Sequence, residues 1–327
     1  MSISDKNKKF SKLAALFVLL LFAIWFLSTK DMIATESHIF EVKKGSSMGS
    51  IAQELSNKGL IKSELFFTSF SKFLNANKKL KSGYYEILPG TSVWTFIDKI
   101  STGSVLSTKV TLIEGKTIKF YFNQLTNDPS IKPSGSLKEV MTSIGINEPY
   151  DGWFFPETYS FNYGESLENV LKRAHQELMK NLMVLWDQRD KGLPLKSPYE
   201  AIILASLIEN ETALDEEKSL IAGVFIRRLN EGMRLQTDPT VIYALGDAYS
   251  PPLKKSDLRI NSLYNTYRNK GLPPGAISSV GYQSLFAALH PSSNTDLYFV
   301  SKKDGSHAFA PNYEKHKENI KKYLNNN

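Results

Sequence analysis

The sequence predicts an α+β protein with a single N-terminal transmembrane helix, a small β-α-α-β module and a larger mixed α/β domain. Three observations predict this class: an apolar run at residues 13–27, alternating strand and helix patterns over residues 38–113, and a strongly apolar helix that begins near Pro198. The chain has 327 residues, of which 42% are hydrophobic and 22% charged. These values are ordinary for a folded protein and sufficient, without the N-terminal run, for two domains.

The N-terminal segment combines a basic cluster with the apolar run. Residues 1–12, which contain four lysines, are expected to be a cytoplasmic basic tail, and residues 13–29 a transmembrane signal anchor. A spanning helix usually needs about 20 apolar residues, so this one is short, and a cleaved signal peptide is the alternative. Because no small-x-small cleavage site follows Leu27, we expect an uncleaved anchor. The prediction is a single-pass inner (plasma) membrane protein whose remaining chain is periplasmic or extracytoplasmic.

Residues 38–90 show two strand patterns with two helix patterns between them. Strands are expected at residues 38–43 and 83–88, one helix follows Gly45, and the second covers residues 63–74. This β-α-α-β order resembles a LysM-like module, a small fold often used to hold N-acetylated glycans. The alternative is a spacer that holds the following domain away from the membrane.

Residues 91–135 are expected to form a connecting or accessory segment. A helix is predicted over residues 92–100 and a strand over residues 109–113. The loop-rich stretch at residues 127–136 then places a domain boundary, so that the last domain covers residues 136–327.

A helix is predicted to begin at Pro198 in this last domain. Ser197 can cap it, proline suits the first helical position, and Glu200 stands three residues after the cap. Residues 202–208 leave hardly any polar face, which is typical of a helix covered on most sides by other protein.

Two carboxylates, Glu209 and Glu211, stand at the end of this apolar helix. Because each helical residue turns by about 100°, the two side chains point about 200° apart and cannot both face one cleft. Glu211 lies on the more apolar stripe, near the partially negative helix C-terminus, and both effects should raise its pKa. A raised pKa suits a general acid. The alternative is that either glutamate pairs with Arg227 or Arg228 of the next helix.

Four ordered motifs resemble one known family. They are Ile208-Glu-Asn-Glu-Thr212, Arg234-Leu-Gln-Thr-Asp-Pro-Thr-Val241, Tyr264-Asn-Thr-Tyr267 and Gly271-Leu-Pro-Pro-Gly-Ala276. Together they are similar to motifs of the MltG/YceG-like endolytic murein transglycosylases. The resemblance extends upstream to Gly152 and downstream to Val300. It implies a mixed α/β lytic transglycosylase domain whose catalytic acid is the second glutamate of the first motif, Glu211.

The resemblance also implies a reaction and partners. The family cleaves the β-1,4 bond between N-acetylmuramic acid and N-acetylglucosamine within peptidoglycan glycan strands. The muramyl C6 hydroxyl replaces water as the nucleophile and leaves a 1,6-anhydro end. One glutamate then serves as acid and base, and no cofactor is expected. Action on nascent strands to terminate elongation and contact with peptidoglycan synthases, the penicillin-binding proteins, are further expectations.

Six motif residues are candidates for binding the glycan, because amides and hydroxyls can bond sugar hydroxyls and aromatic faces can cover apolar sugar patches. They are Gln236, Thr237, Asp238, Tyr264, Asn265 and Tyr267. Each could equally be a buried loop tether. Asp238 is the obvious second carboxylate for hydrolysis, but an Asp-Pro step favours a turn that its side chain would hold.

Other function classes have little support in the sequence. The formal charge is +7, yet lysines and arginines are scattered and no recognition motif is present, so no nucleic-acid partner is expected. The five histidines lack His-Glu-x-x-His spacing and there is no cysteine, so no metal site is expected. Two alternatives stay open: a noncatalytic peptidoglycan-binding scaffold, and a muramidase that uses water.

Overall fold

The computed structural model describes residues 15–23, 25–26 and 30–324 of the chain. The α+β class fits, since helices alternate with short two-stranded sheets. The chain divides into two units. The first comprises Met1–Thr108 and Ser160–Gly164, and the second comprises Lys109–Tyr159 and Glu165–Asn327.

The predicted N-terminal transmembrane helix is wrong for the part of the chain that the structure describes. Residues 15–23 and 25–26 are helical, but no helix among the described residues is long and apolar enough to cross a membrane. A spanning helix needs about 20 residues. The predicted anchor at residues 13–29 is corrected accordingly, and so is the single-pass inner-membrane location that rested on it. Part of that segment and the predicted basic tail, residues 1–12, lie outside the described residues.

In the part of the chain that the structure describes, two strands and three helices supply most of the core of the first unit. They are β1 (His38–Val42), α1 (Met48–Asn57), α2 (Glu64–Phe73), β2 (Gly83–Ile87) and α3 (Val93–Thr102). The strands pair antiparallel, with His38 opposite Ile87 and Val42 opposite Gly83. A serine hydroxyl accepts a backbone N–H at the start of each helix, as it does at Ser63 and Ser92. Aromatic and aliphatic side chains of all five elements form the core of this unit.

The second unit carries most of the helices. The elements after α3 are β3 (Ser107–Thr111), α4 (Ile118–Thr126), β4 (Ile131–Lys132), α5 (Leu137–Ile144), β5 (Thr158–Asn162), β6 (Glu165–Ser166), α6 (Leu167–Gln188), α7 (Pro198–Glu211), α8 (Asp215–Asn230), α9 (Asp238–Leu245), α10 (Tyr282–Leu289), β7 (Tyr298–Ser301), β8 (His307–Ala310) and α11 (Tyr313–Tyr323). Among the described residues, three further two-stranded sheets pair β3 with β5, β4 with β6, and β7 with β8. The boundary between the two units falls within β3 and within β5, so only part of each of these strands belongs to the second unit.

Helix α7 runs through the core of the second unit. It begins at Pro198 with the Ser197 hydroxyl as its cap, which confirms the predicted start. Every residue from Ala201 to Ile208 is buried, and the helix packs against α6, α8, α9 and α10. The one hydroxyl in this stretch, Ser206, accepts a hydrogen bond from the N–H of Ile277 at 3.1 Å. The core therefore fixes the position at which α7 ends.

Gly152 lies against the middle of α7. Its φ is +85°, and a Cβ at this position would lie 2.5 Å from the Ala276 Cβ and 2.7 Å from the Ile202 Cγ2. Both the left-handed backbone and the lack of space require glycine here. The close approach holds the segment before Trp153 and the segment around Ala276 on the same part of the helix.

Gly152→Ala should therefore destabilise the protein by about 3 kcal/mol or more, because overpacking adds to backbone strain. Gly145→Ala is the matched control: its φ is +86°, but a Cβ would meet no atom within 4 Å. Backbone strain alone should cost about 1–2 kcal/mol there. Urea denaturation of both variants measures the difference, and equal losses would contradict close packing of Gly152 on α7.

Candidate active site

Glu211 is the last residue of α7 and is partly buried. The hydroxyl of Thr237 donates a hydrogen bond to its Oε1. Thr237 is itself buried, and its backbone N–H donates to the Thr266 Oγ1 at 3.0 Å. The loop before α9 therefore comes back to the end of α7 and fixes one oxygen of the carboxyl group.

The surroundings of Glu211 favour its protonated form. Burial is the largest effect and raises the pKa of Glu211 to about 7, from an ordinary value of 4.5. The negative charge of Asp238 raises this pKa further, whereas the Thr237 hydrogen bond and the positive charge of Arg228 lower it. A carboxyl group with a pKa near 7 is present in both protonation states at neutral pH, so it can donate a proton and later accept one.

Arg227 and Arg228 are the alternative partners for the two glutamates, but both donate hydrogen bonds to backbone carbonyls instead. Arg228 is buried, and it donates to the Leu297 carbonyl at 2.7 Å and to the Leu235 carbonyl at 2.6 Å. Arg227 donates to the Asp296 carbonyl at 2.7 Å. Arg228 therefore acts on Glu211 as a nearby charge, while its hydrogen bonds hold the backbone around the site.

Glu209 has a different environment, as the helical spacing predicts. Its Oε1 lies 3.5 Å from the Nζ of Lys218, and its Oε2 accepts the N–H of Gly281 at 2.9 Å. The side chains of Lys218 and Glu209 are only 5% and 7% exposed. Glu209 is therefore the paired, structural acid of the two, whereas Glu211 has a threonine hydroxyl as its hydrogen-bond donor.

Three threonines tie together the two segments that surround Glu211. The Thr240 hydroxyl donates to the Thr237 carbonyl at 2.7 Å, and the Thr240 and Thr266 hydroxyls lie 2.9 Å apart. Thr240 and Thr266 are not among the site residues predicted from the sequence. Their position within the motifs was the available signal, but motif membership alone does not show that a hydroxyl points inward.

Two predicted binding residues beside this cluster are exposed. Gln236 is exposed and has a φ of +52°, a conformation that is uncommon for a residue other than glycine. Asp238, also exposed, opens α9 and accepts a hydrogen bond from the Tyr267 hydroxyl at 2.5 Å. Burial, and then Asp238, raise the pKa of Tyr267, so the phenol stays protonated as the donor. The structure thus brings Thr237, Asp238 and Tyr267 close to Glu211, and Gln236 directly precedes Thr237.

Asn265 and Tyr264 are placed differently. Asn265 is fully buried, its amide donates to the Leu258 and Ile260 carbonyls at 3.0 and 2.8 Å, and its oxygen accepts the Tyr267 N–H at 2.9 Å. These contacts favour the loop-tether alternative for Asn265. Tyr264 lines a neighbouring cleft, where its ring packs against Tyr243 at 4.8 Å between centroids.

Within the described residues, no group of three or more histidines, cysteines, aspartates or glutamates has the arrangement of a metal site. His307 bonds the carboxylate of Glu217 at 2.7 Å, and His290 lies 3.1 Å from Asp190. The structure therefore gives these two histidines carboxylate partners of their own.

Comparison with known proteins decides the family. The profile of the YceG-like family matches residues 40–322. The chain belongs to the YceG-like family. The resemblance drawn from the four motifs is confirmed.

Two relatives of this YceG-like chain carry the name endolytic murein transglycosylase. The protein from Bacillus subtilis (strain 168) is 31% identical over 309 residues, which cover 86% of this chain and 84% of the relative. The protein from Streptococcus pneumoniae (strain ATCC BAA-255 / R6) is 28% identical over 323 residues, covering 87% of this chain and 58% of the relative. This chain thus spans little more than half of the streptococcal protein.

A solved structure is also similar to this YceG-like chain. The crystal structure of a YceG-like protein from Listeria monocytogenes has a TM-score of 0.54 and 28% sequence identity. The match covers 87% of this chain and 99% of the Listeria chain. The similarity in fold therefore extends over nearly the whole of that protein.

The raised pKa of Glu211 predicts a pH-dependent stability. The folded-state pKa of about 7 lies above the ordinary value of 4.5, so folding binds a proton in this range and the fold loses stability as pH rises from 4.5 to 7. Glu211→Gln cannot ionise and should be more stable than the wild type at pH 8, by up to about 3 kcal/mol, but not at pH 4. Denaturant titrations at both pH values measure this difference.

Glu209→Gln is the matched control on the same helix. It removes the buried partner of Lys218 and should lower stability at pH 8. If Glu211→Gln leaves the pH dependence of the free energy of unfolding unchanged, the carboxyl group of Glu211 is not desolvated as described.

Proposed function

We propose that this protein is an endolytic transglycosylase that cleaves the β-1,4 bond between N-acetylmuramic acid and N-acetylglucosamine inside peptidoglycan strands, with Glu211 as both acid and base. The observation that carries the proposal is the carboxyl group of Glu211, which has a pKa of about 7 and is held by the Thr237 hydroxyl. Membership of the YceG-like family and the printed names of the relatives support it.

The first step is proton donation from Glu211. Its carboxyl proton passes to the glycosidic oxygen while the bond from that oxygen to the muramyl C1 breaks, and the N-acetylglucosamine leaves with a free hydroxyl. Positive charge develops at the muramyl C1. The fraction of Glu211 that is protonated at neutral pH provides the proton that this leaving group needs.

The second step regenerates the acid. Glu211, now a carboxylate, takes the proton of the muramyl C6 hydroxyl while the C6 oxygen bonds to C1, which closes the 1,6-anhydro ring. The nucleophile and the electrophile are parts of one sugar, so their reaction gains from proximity if the site holds the ring in the reactive shape. No second carboxylate is needed, since the substrate supplies its own nucleophile.

The neighbours of Glu211 suit a residue that changes charge during turnover. The Thr237 hydroxyl bonds Oε1 and leaves Oε2 for the substrate. The charge of Arg228 stabilises the carboxylate that forms in the first step, and it keeps the pKa from rising further. Arg228 and Thr237 are therefore positioning residues for the acid.

Asp238 is the residue on which a hydrolytic alternative would depend. The Tyr267 hydroxyl donates to its Oδ1, and Asp238 stands in the first turn of α9. This tether favours a holding role for Asp238 over activation of water. Exposed Gln236, together with Asp238 and Tyr267, forms the proposed surface for sugar hydroxyls next to Glu211.

The residues before the catalytic domain have a smaller role in the proposed function. The proposal assigns residues 38–90 to a LysM-like module, residues 91–135 to a connecting segment and residues 136–327 to the catalytic domain. Glycan binding by the module, contact with peptidoglycan synthases and termination of strand elongation stay predictions that rest on the resemblance.

Product analysis tests the proposed reaction. The full chain, incubated with purified peptidoglycan strands, should release internal fragments with 1,6-anhydro ends that mass spectrometry identifies. Glu211→Gln should lower the rate by about 10²- to 10⁴-fold, because a positioned acid and base is lost. Asp238→Asn should keep the anhydro product at a reduced rate.

Other products would contradict parts of this account. Reducing ends from the wild type would show hydrolysis, and their loss in Asp238→Asn would make Asp238 the base of a muramidase. Strands that the wild-type protein binds without cleaving would favour the noncatalytic scaffold. Glu209→Gln is the control variant, because it changes a residue near the end of α7 but keeps Glu211.

A further inference from the structure

The second unit has an aromatic cleft that the proposed chemistry does not use. It has a volume of about 430 Å³ and is lined by Glu148, Pro149, Tyr150, Tyr243, Tyr264 and Pro274. Three tyrosine rings and two prolines give it flat apolar walls. Phenolic hydroxyls and one exposed carboxylate, that of Glu148, add polar groups.

The tyrosines of this cleft are held by a buried acid. Asp151 is 7% exposed, and its Oδ1 accepts the N–H of Ile118 at 2.6 Å. Its Oδ2 accepts the Tyr243 hydroxyl at 2.7 Å. The Tyr243 and Tyr264 rings pack against each other with their centroids 4.8 Å apart and a tilt of 46°. The wall is therefore rigid before any ligand binds, which lowers the entropic cost of binding.

Two residues of the cleft, Tyr243 and Tyr264, stand on the segments that also surround Glu211. Tyr243 lies on α9, five residues after Asp238, which corresponds to about 7.5 Å along the helix axis and about 140° around it. Tyr264 precedes Tyr267 by three residues, and the Tyr267 hydroxyl bonds Asp238. The cleft and the surroundings of Glu211 are therefore built on the same two segments, and the cleft lies on another face of α9.

The chemistry of the cleft selects a neutral sugar. Aromatic rings cover the apolar C–H face of a pyranose, while hydroxyl and carboxylate groups bond its hydroxyls. Peptide stems end in carboxylates, and the cleft presents Glu148 and has Asp151 behind its wall, so a stem would meet charges of the same sign. An N-acetylglucosamine ring carries no charge.

We propose that this cleft is a second glycan subsite, which holds a neutral N-acetylhexosamine ring of the same strand that Glu211 cleaves. The inference rests on the proposed function and deepens it. A ring held beyond the cleaved bond favours cutting inside a strand over trimming its end, because a strand that stops at the bond lacks this contact.

Binding of peptide-free glycan strands to Glu211→Gln protein tests the subsite without turnover. When Tyr264→Ala is added to this variant, the Kd for the strands should rise about tenfold. This corresponds to about 1.4 kcal/mol for one aromatic contact. Tyr264→Phe keeps the ring and should raise the Kd only about two- to threefold. Tyr282→Ala, at a tyrosine that is 44% exposed on α10, is the matched control and should leave the Kd unchanged. Melting temperatures confirm that each variant is folded.

The outcomes separate the subsite from the proposed function. If wild-type protein cleaves the strands but Tyr264→Ala does not change the Kd, the subsite is wrong and the function stands. If Tyr264→Ala abolishes binding of free stem peptides and spares the strands, the occupant is a peptide and the subsite is also wrong. If the parent protein neither cleaves nor binds strands, both proposals fail.

Discussion

The desolvated carboxyl group of Glu211 is the constraint on which the second unit depends. A carboxyl group keeps a proton at neutral pH only where water cannot stabilise its charge. The apolar residues of α7, buried from Ala201 to Ile208, bring the chain to such a place. The helix must in turn be covered by α6, α8, α9 and α10, so a large part of the core serves to position one side chain.

The charges around Glu211 are arranged so that none of them removes its proton. Lys218 lies closest to Glu209 and Asp215, at 3.5 and 2.9 Å, and the guanidinium of Arg228 donates to backbone carbonyls. Thr237 supplies a neutral donor instead of an ion. A direct ion pair would hold the carboxylate form and lower the pKa, which would remove the acid that bond cleavage needs.

The sequence predicted the parts of this arrangement that are local. Capping residues and apolar spacing located the start of α7, and helical geometry distinguished Glu211 from Glu209. Four motifs identified the family. Asn265 could not be assigned, because an amide that bonds loop carbonyls has the same sequence signature as one that bonds sugars. The positions of Thr266 and of the Asp151 contact with Tyr243 depend on tertiary contacts between distant segments.

A direct titration of Glu211 tests the central claim. In protein labelled with ¹³C at glutamate carboxyl carbons, the resonance that disappears in Glu211→Gln is assigned to Glu211. Its midpoint should lie near pH 7, and Thr237→Val should move it to higher pH, because the lost hydroxyl favoured the carboxylate. A midpoint near the ordinary value of 4.5 would show a solvated carboxylate and would contradict the assignment of Glu211 as the acid.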